Sequence, residues 1–245
     1  MSKKPTTPLS HATSFERPLT GVDLVIFAVR DAALQVLLTR RPSQPREPFP
    51  DRWALPGGFV DVSQDESLEA CARRKLAEKT GVATPYLEQL GSWGSRDRDP
   101  RGWSATHVYF ALLPGDGIEP RAGGTAADAR WHPLRGHGVR ERLAFDHAEI
   151  LAAAIERLRG KVEYTSLPAF LLPEEFTLTD LQQVYEIVLG RPLNKSAFRT
   201  RMMDAELIVE VPRQRAGPNR PAQLYRLKDR RNAVFFPRAF SPRDD

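Results

Sequence analysis

The chain has 245 residues, 41% hydrophobic and 27% charged, which suits one large or two small globular domains with a packed core. No uninterrupted apolar run approaches the roughly 18–20 residues of a membrane span, and a single cysteine, Cys71, excludes an internal disulfide and fits a reducing cytosol. The formal net charge of +5 permits a polyanionic partner without requiring one.

Residues 1–18 hold two lysines but no apolar segment, so they read as a flexible arm rather than a secretory signal. The expected location is therefore the cytoplasm. Residues 21–29, GVDLVIFAV, and 34–41, LQVLLTRR, are β-branched and aromatic runs separated by RDAA, which predicts a hairpin. PSQPREPFP, residues 42–50, carries four prolines and predicts a loop. WALPGGFV follows, with Pro-Gly-Gly forcing a turn. DESLEACARRKLAEKTG, residues 65–81, predicts a helix with acidic residues at its start and Gly81 as its stop. Strand-like runs follow at residues 86–94, 103–113 and 128–134. FDHAEILAAAIERLRG, residues 145–160, predicts a helix closed by Gly160. Strands in succession with helices interspersed argue for an α/β sandwich rather than a doubly wound sheet.

Beyond Gly160 the pattern changes. FTLTDLQQVYEIVLG predicts a helix capped by Thr177 or Thr179 and ending at Gly190. RPLN is a short turn, and KSAFRTRMMDAE a second helix with basic residues on one side. LIVEV and AQLYRL are short strands around the basic loop PRQRAGPNRP. Helix, turn, helix, strand, loop and strand in this order is a winged helix-turn-helix pattern. Residues 191–238 carry twelve Lys and Arg against four acids, so basic charge concentrates there and the remainder is net acidic. Such a footprint suits a phosphate backbone. Asn194 would cap the second helix, with Lys195, Ser196, Arg199 and Thr200 outward toward DNA and Phe198, Met202 and Leu207 inward. Arg213, Arg215, Asn219 and Arg220 would line the wing and grip phosphates or a groove.

Residues 58–82 resemble a Nudix box. Gly58, Glu66, Arg74, Leu76, Glu78, Gly81 and Val82 match its residue types. The spacing from Gly58 to Glu66 is two residues longer than in that family, and Lys75 and Lys79 stand where it has glutamates. Positions 75, 78 and 79 share one helix face. Carboxylates there would gather magnesium, which takes hard oxygen ligands; two ammonium groups would repel a cation and attract a diphosphate. The expectation is a diphosphate-binding site with no metal and no catalytic residue, the alternative for Lys75 and Lys79 being a solvated helix face. Arg98, Arg101 and Trp103 in RDRDPRGWS would complete it, since arginine forks suit phosphate oxygens and an indole stacks on a purine. Gly58, Arg74 and Glu78, with Arg41 and Trp53 flanking the proline loop, are further ligand candidates.

From about residue 19 to residue 228 the chain resembles the NrtR family of Nudix-related transcriptional regulators. RKLAEKTGV, PYLEQLGSWG, RDPRGWSATHVYFAL, LAFDHAEIL, KVEYTSLPAFLLPEEFTLTDLQ and VYEIVLGRPLNKSAFR carry the resemblance. It implies an α+β chain: an arm over residues 1–18, a Nudix α/β/α sandwich over 19–160 and a winged helix-turn-helix domain over 161–245. It further implies a homodimeric repressor of NAD-biosynthesis or NAD-salvage genes, bound to palindromic operator DNA and released by ADP-ribose. The expected hinge lies at residues 160–172. Two rival readings are an active ADP-ribose pyrophosphatase using Glu66, Glu69 and Glu78, and a repressor of the same build that senses a sugar.

Overall fold

The computed structural model describes residues 17–82, 86–115, 117–123, 126–216 and 221–236. The expectations for most of the N-terminal arm, and for Asn219 and Arg220, lie outside the described residues. The hairpin forms from β1 (Leu19–Arg30) and β2 (Ala33–Arg40). Asp31 and Ala32 both take positive φ, 50° and 55°, the conformation that a two-residue turn between right-twisting strands requires. After the proline loop come β3 (Trp53–Ala54) and β4 (Gly57–Phe59). Helix α1 spans Leu68–Thr80; the Ser67 side chain accepts from Ala70 N, and Gly81 closes the helix in the left-handed region at φ 70°. Strands β5 (Tyr86–Ser95), β6 (Ser104–Leu113) and β7 (Asp128–Pro133) follow.

These seven strands make one mixed sheet in the order β3-β2-β1-β6-β5, with β4 also on β1 and β7 also on β2. Strand β1 runs parallel to β6 and antiparallel to its other partners. Alternation along the strands builds two apolar faces. Leu24, Ile26, Leu37, Ala111 and Leu113 pack with Cys71, Ala72 and Leu76 of α1. Val25, Phe27, Val36, Leu38, Val108 and Phe110 join the opposite cluster, which helix α2 (His147–Val162) covers with Ile150, Leu151, Ala154 and Leu158. Helices on both faces give the expected sandwich.

One boundary is corrected. Gly160 does not close α2, which continues to Val162. Its 3.6-residue apolar period carries on past the glycine and buries Val162 fully. The expected hinge at residues 160–172 contains a buried turn. Leu167–Leu171 form a 3₁₀ turn whose five residues are buried in the sheet's α2-side core. That core runs on without a break into the C-terminal part.

Helix α3 (Leu178–Leu189) starts at a capping box in which Thr177 and Asp180 exchange side-chain-to-backbone hydrogen bonds, which settles the choice between Thr177 and Thr179. Gly190 at φ 70° ends it. Helix α4 (Lys195–Asp204) begins behind Asn194, whose side chain accepts from Ala197 N. Strands β8 (Ile208–Arg215) and β9 (Ala222–Leu227) form the antiparallel wing. Phe198, Met202 and Leu207 are buried as expected. Tyr185 of α3, fully buried, donates to Thr165 O at 2.8 Å and sets its ring edge-on to Phe198. The winged helix is thereby fastened through α3 to the segment leaving the Nudix part.

Candidate functional site

A cavity of about 400 Å³ opens between the central sheet, the proline loop and the last turns of α1, within the range of small-ligand pockets. Gly57 and Gly58 on β4 form part of its wall. A Cβ on Gly57 would lie 2.1 Å from Asp23 Oδ1 and 2.5 Å from Val22 O, so the close strand approach requires glycine there. A Cβ on Gly58, at φ 155°, would meet Lys75 Cε and Nζ at 3.2 Å. The bare backbone at Gly58 thus lets the Lys75 side chain lie across β4.

Seven of the ten ligand-site residues expected from the sequence line this cavity: Arg41, Gly58, Lys75, Glu78, Lys79, Arg98 and Arg101. Six cationic side chains, Arg40 being the sixth, face four carboxylates, Asp23, Glu47, Glu78 and Asp99. The helix-face geometry of 75, 78 and 79 therefore holds. Trp53, Arg74 and Trp103 are not part of the wall. Trp53 packs edge-on to His132 at 4.5 Å with its carbonyl accepting from Ala144 N, a core role. Arg74 holds Asp65 through two hydrogen bonds of 2.6 and 2.7 Å and Glu78 through one of 2.8 Å. That fork keeps the Asp65 carboxyl far below the usual carboxylate range. Trp103 lies against Gly94, 48% exposed.

Arg98 and Arg101 of the 96–104 loop are committed to carboxylates rather than open to phosphate. Arg98 forms a two-pronged pair with Asp146 at 2.8 and 2.9 Å and lies 3.7 Å from Asp23. Arg101 grips Asp99 through Nε and Nη2 and lies over the Phe59 ring at 5.0 Å. Burial explains the Arg98 pair, since a guanidinium at such depth needs a partner before any ligand arrives; Arg101, 40% exposed, is held by its near neighbour Asp99. Arg41 likewise pairs with Glu47 at 2.7 Å and stacks on Phe145 at 4.9 Å.

The two lysines differ. Lys75 makes no hydrogen bond to any described residue; its ammonium lies 3.7 Å from Glu78 Oε2. Lys79, 6% exposed, donates to Ala122 O at 2.9 Å and also to Gly123 O. Burial and the Lys75 charge push its pKa down, with Glu78 pulling against them. Both lysines line the cavity, but they are not equivalent: Lys79 spends donors on backbone carbonyls, and the Lys75 side chain does not.

Three floor residues escaped the sequence reading. His147 Nδ1 accepts from Leu55 N at 2.9 Å, and its Nε2 lies 3.5 Å from Asp23 Oδ2. A backbone N–H aimed at Nδ1 leaves Nε2–H as the donor toward Asp23. Burial alone would raise the Asp23 pKa, but His147 and Arg98 outweigh it and hold the group below its usual value. Asp146 completes the chain through Arg98. The signal for this network was weak: single polar residues in a strand and before a helix, with partners far away in sequence.

The donor set does not fit magnesium. Among the described residues no group of three or more His, Cys, Asp or Glu side chains could hold a metal ion. Of the carboxylates in the hydrolase reading, Glu78 alone lines the cavity; Glu66 is exposed and Glu69 is paired with Arg73 at 2.7 Å.

On the winged helix, Lys195, Ser196, Arg199 and Thr200 are all exposed on α4. Asn194 spends its side-chain oxygen on the cap. Two wing arginines are not free phosphate grips in this state: Arg213 pairs with Glu175, and Arg215 pairs with Asp180 at 2.6 Å and donates to Thr177 Oγ1 at 3.2 Å. Among the described residues no helix is long and apolar enough to cross a membrane.

Comparison with known proteins falls on both parts. A family model of the NrtR DNA-binding winged helix domain matches residues 168–227, and a NUDIX domain model matches residues 19–154. The "ADPR responsive transcriptional repressor NtrR" of Acinetobacter baylyi is 45% identical over 226 residues, 92% of this chain and 88% of that protein. Shewanella oneidensis NrtR complexed with a 27mer DNA is similar with a TM-score of 0.79 at 41% identity, over 90% of this chain and 98% of that one. The NUDIX domain of the Shewanella protein, complexed with ADP ribose, is similar with a TM-score of 0.54 at 42% identity, over 60% of this chain and 93% of that one.

Proposed function

The chain belongs to the NrtR family of Nudix-related regulators, and on that premise we propose a DNA-binding transcriptional repressor whose effector is ADP-ribose. The single observation that carries the ligand half is the charged cavity, where Lys75 lies beside Glu78 at the magnesium face of a Nudix helix. The DNA half rests on the exposed basic face of α4. The chain binds ADP-ribose without cutting it. Lys75 and Lys79 replace two metal-gathering carboxylates, so the ligand survives to be reported.

In this reading Lys75 meets the diphosphate directly, with Arg40 and the edge of Arg41 shaping the field around it. Arg98, Arg101 and His147 hold the floor rigid, which lowers the ordering cost of binding. Lys195, Ser196, Arg199 and Thr200 face base edges and phosphates. The protein acts in the cytoplasm as a homodimer on palindromic operators of NAD-biosynthesis or NAD-salvage genes. Two recognition helices then stand about one DNA turn, roughly 34–36 Å, apart. Ligand binding acts by favouring a different spacing, since an effector needs differential affinity for two arrangements.

Incubation of the full chain with magnesium and ADP-ribose, followed by nucleotide chromatography and calorimetry, tests the binding-only claim. Saturable binding with ADP-ribose recovered intact is the expected result. Sustained AMP release would instead establish the hydrolase.

A further inference from the structure

The two lysines of the altered box are placed for different work. The Lys79 ammonium is turned away from solvent into backbone oxygen, donating to the carbonyls of Ala122 and Gly123. The same short stretch is tied to α1 a second time, because Arg121 N donates to Lys79 O at 2.7 Å. It also lies against the helix C-cap: a Cβ on Gly81 would meet the Arg121 guanidinium at 2.7 Å. A few residues later the chain reaches the cavity wall at Ala126, and Ala127 N donates to Arg40 O at 2.9 Å before β7 begins. Arg121 is thus tied to α1 and Ala127 to Arg40, which line two sides of the cavity. A buried ammonium is costly unless its donors find partners. Here two carbonyl oxygens take two of its donors.

We propose that Lys79 is a positioning residue that acts as a permanent internal cation, clamping residues 121–123 to α1 and so supporting the cavity wall at Ala126, while Lys75 alone of the two meets the ligand's phosphates. This deepens the ADP-ribose reading and rests on it. A box glutamate at position 79 would serve a metal; the lysine supplies a fixed charge of the same sign and orders the wall without one.

The test is calorimetric titration of ADP-ribose into the full-length wild type and its Lys75→Met, Lys79→Met and Lys79→Gln variants, at about 0.05 M and about 0.5 M salt. Lys75→Met weakens binding by about tenfold or more at low salt, and the difference shrinks at high salt as screening removes a direct charge contact. Lys79→Met also weakens binding by about tenfold, but equally at both salt concentrations, because its charge does not face the ligand. Lys79→Gln, which keeps an N–H donor without the charge, recovers part of the affinity. Hydrogen exchange on the ligand-free proteins reads the clamp itself: Lys79→Met speeds exchange at the Arg121 amide and its neighbours, and Lys75→Met does not. That arm remains decisive if the methionine variant is less stable, since global loosening would raise exchange throughout. An unchanged affinity in Lys79→Met, a salt-sensitive loss like that of Lys75→Met, or no local change in exchange would each overturn the proposal. Failure of the wild type to bind ADP-ribose would instead sink the ligand assignment, and the exchange arm would still judge the clamp.

Discussion

Around the cavity, Arg41, Arg74, Arg98 and Arg101 each meet a carboxylate at 2.6–2.8 Å, whereas on α4 Lys195 and Arg199 stand in solvent. The two surfaces bind anions on different terms. In the cavity the buried guanidinium of Arg98 would be costly unpaired, so it arrives already neutralised and acts by fixing shape. DNA meets a wet face, where exposed cations displace counterions and need no prior partner. Counting arginines near a motif therefore misses that those at the cavity are already paired while those on α4 are exposed.

The comparison is broken most forcefully at Arg98. Arg98→Ala leaves Asp23 and Asp146 without their shared partner and should cost about 3–5 kcal/mol of stability, read by thermal or denaturant unfolding. The same network sets an acid limb. Asp23 is held below its ordinary value of 3.8, so its contribution is present above about pH 4 and is lost as pH falls through the lowered pKa. Unfolding curves across this range should show less acid sensitivity in Arg98→Ala than in the wild type. An equally stable variant with an unchanged acid limb would refute the paired-floor account.

Arg199→Ala sharpens the other side. It should move stability by no more than about 0.5 kcal/mol yet weaken operator binding by about 1–3 kcal/mol, with a shallower salt dependence. Anisotropy titrations at several salt concentrations would measure both. A loss of stability as large as that of Arg98→Ala would erase the distinction between the two surfaces. The smallest expected effect lies at the junction. Tyr185→Phe removes the donor to Thr165 O and should cost about 1 kcal/mol, while loosening the coupling between ADP-ribose and DNA. Coupling left intact would place the communication route elsewhere.

Much of this was legible in the residues. Strand alternation and the stop at Gly81 are local signals and appear where the pattern put them, and of the two caps the pattern allowed, Thr177 is the one that forms. The helix face of 75, 78 and 79 follows from periodicity, and all three line the cavity. What escaped depends on distant partners. Arg98 is held by Asp146, 48 positions away, and Lys79 by Ala122 and Gly123, 43 and 44 away. No motif records such pairings. Gly160 misled for a related reason: a glycine ends a helix only when the chain must turn there, and burial of Val162 keeps α2 going. Spacing already offered Glu78 as a partner for Arg74 one turn earlier; the structure adds Lys75, whose ammonium lies 3.7 Å from it.

The central claim is that ADP-ribose, bound intact, releases this chain from DNA. Fragments retained by the protein from its own genome supply the operator. A gel shift on such a fragment, with and without saturating ADP-ribose, is the most direct measurement. The account predicts a loss of about 5- to 150-fold in DNA affinity, the range of a 1–3 kcal/mol coupling, with the nucleotide recovered unchanged. DNA affinity that stays the same at saturating ADP-ribose would contradict it.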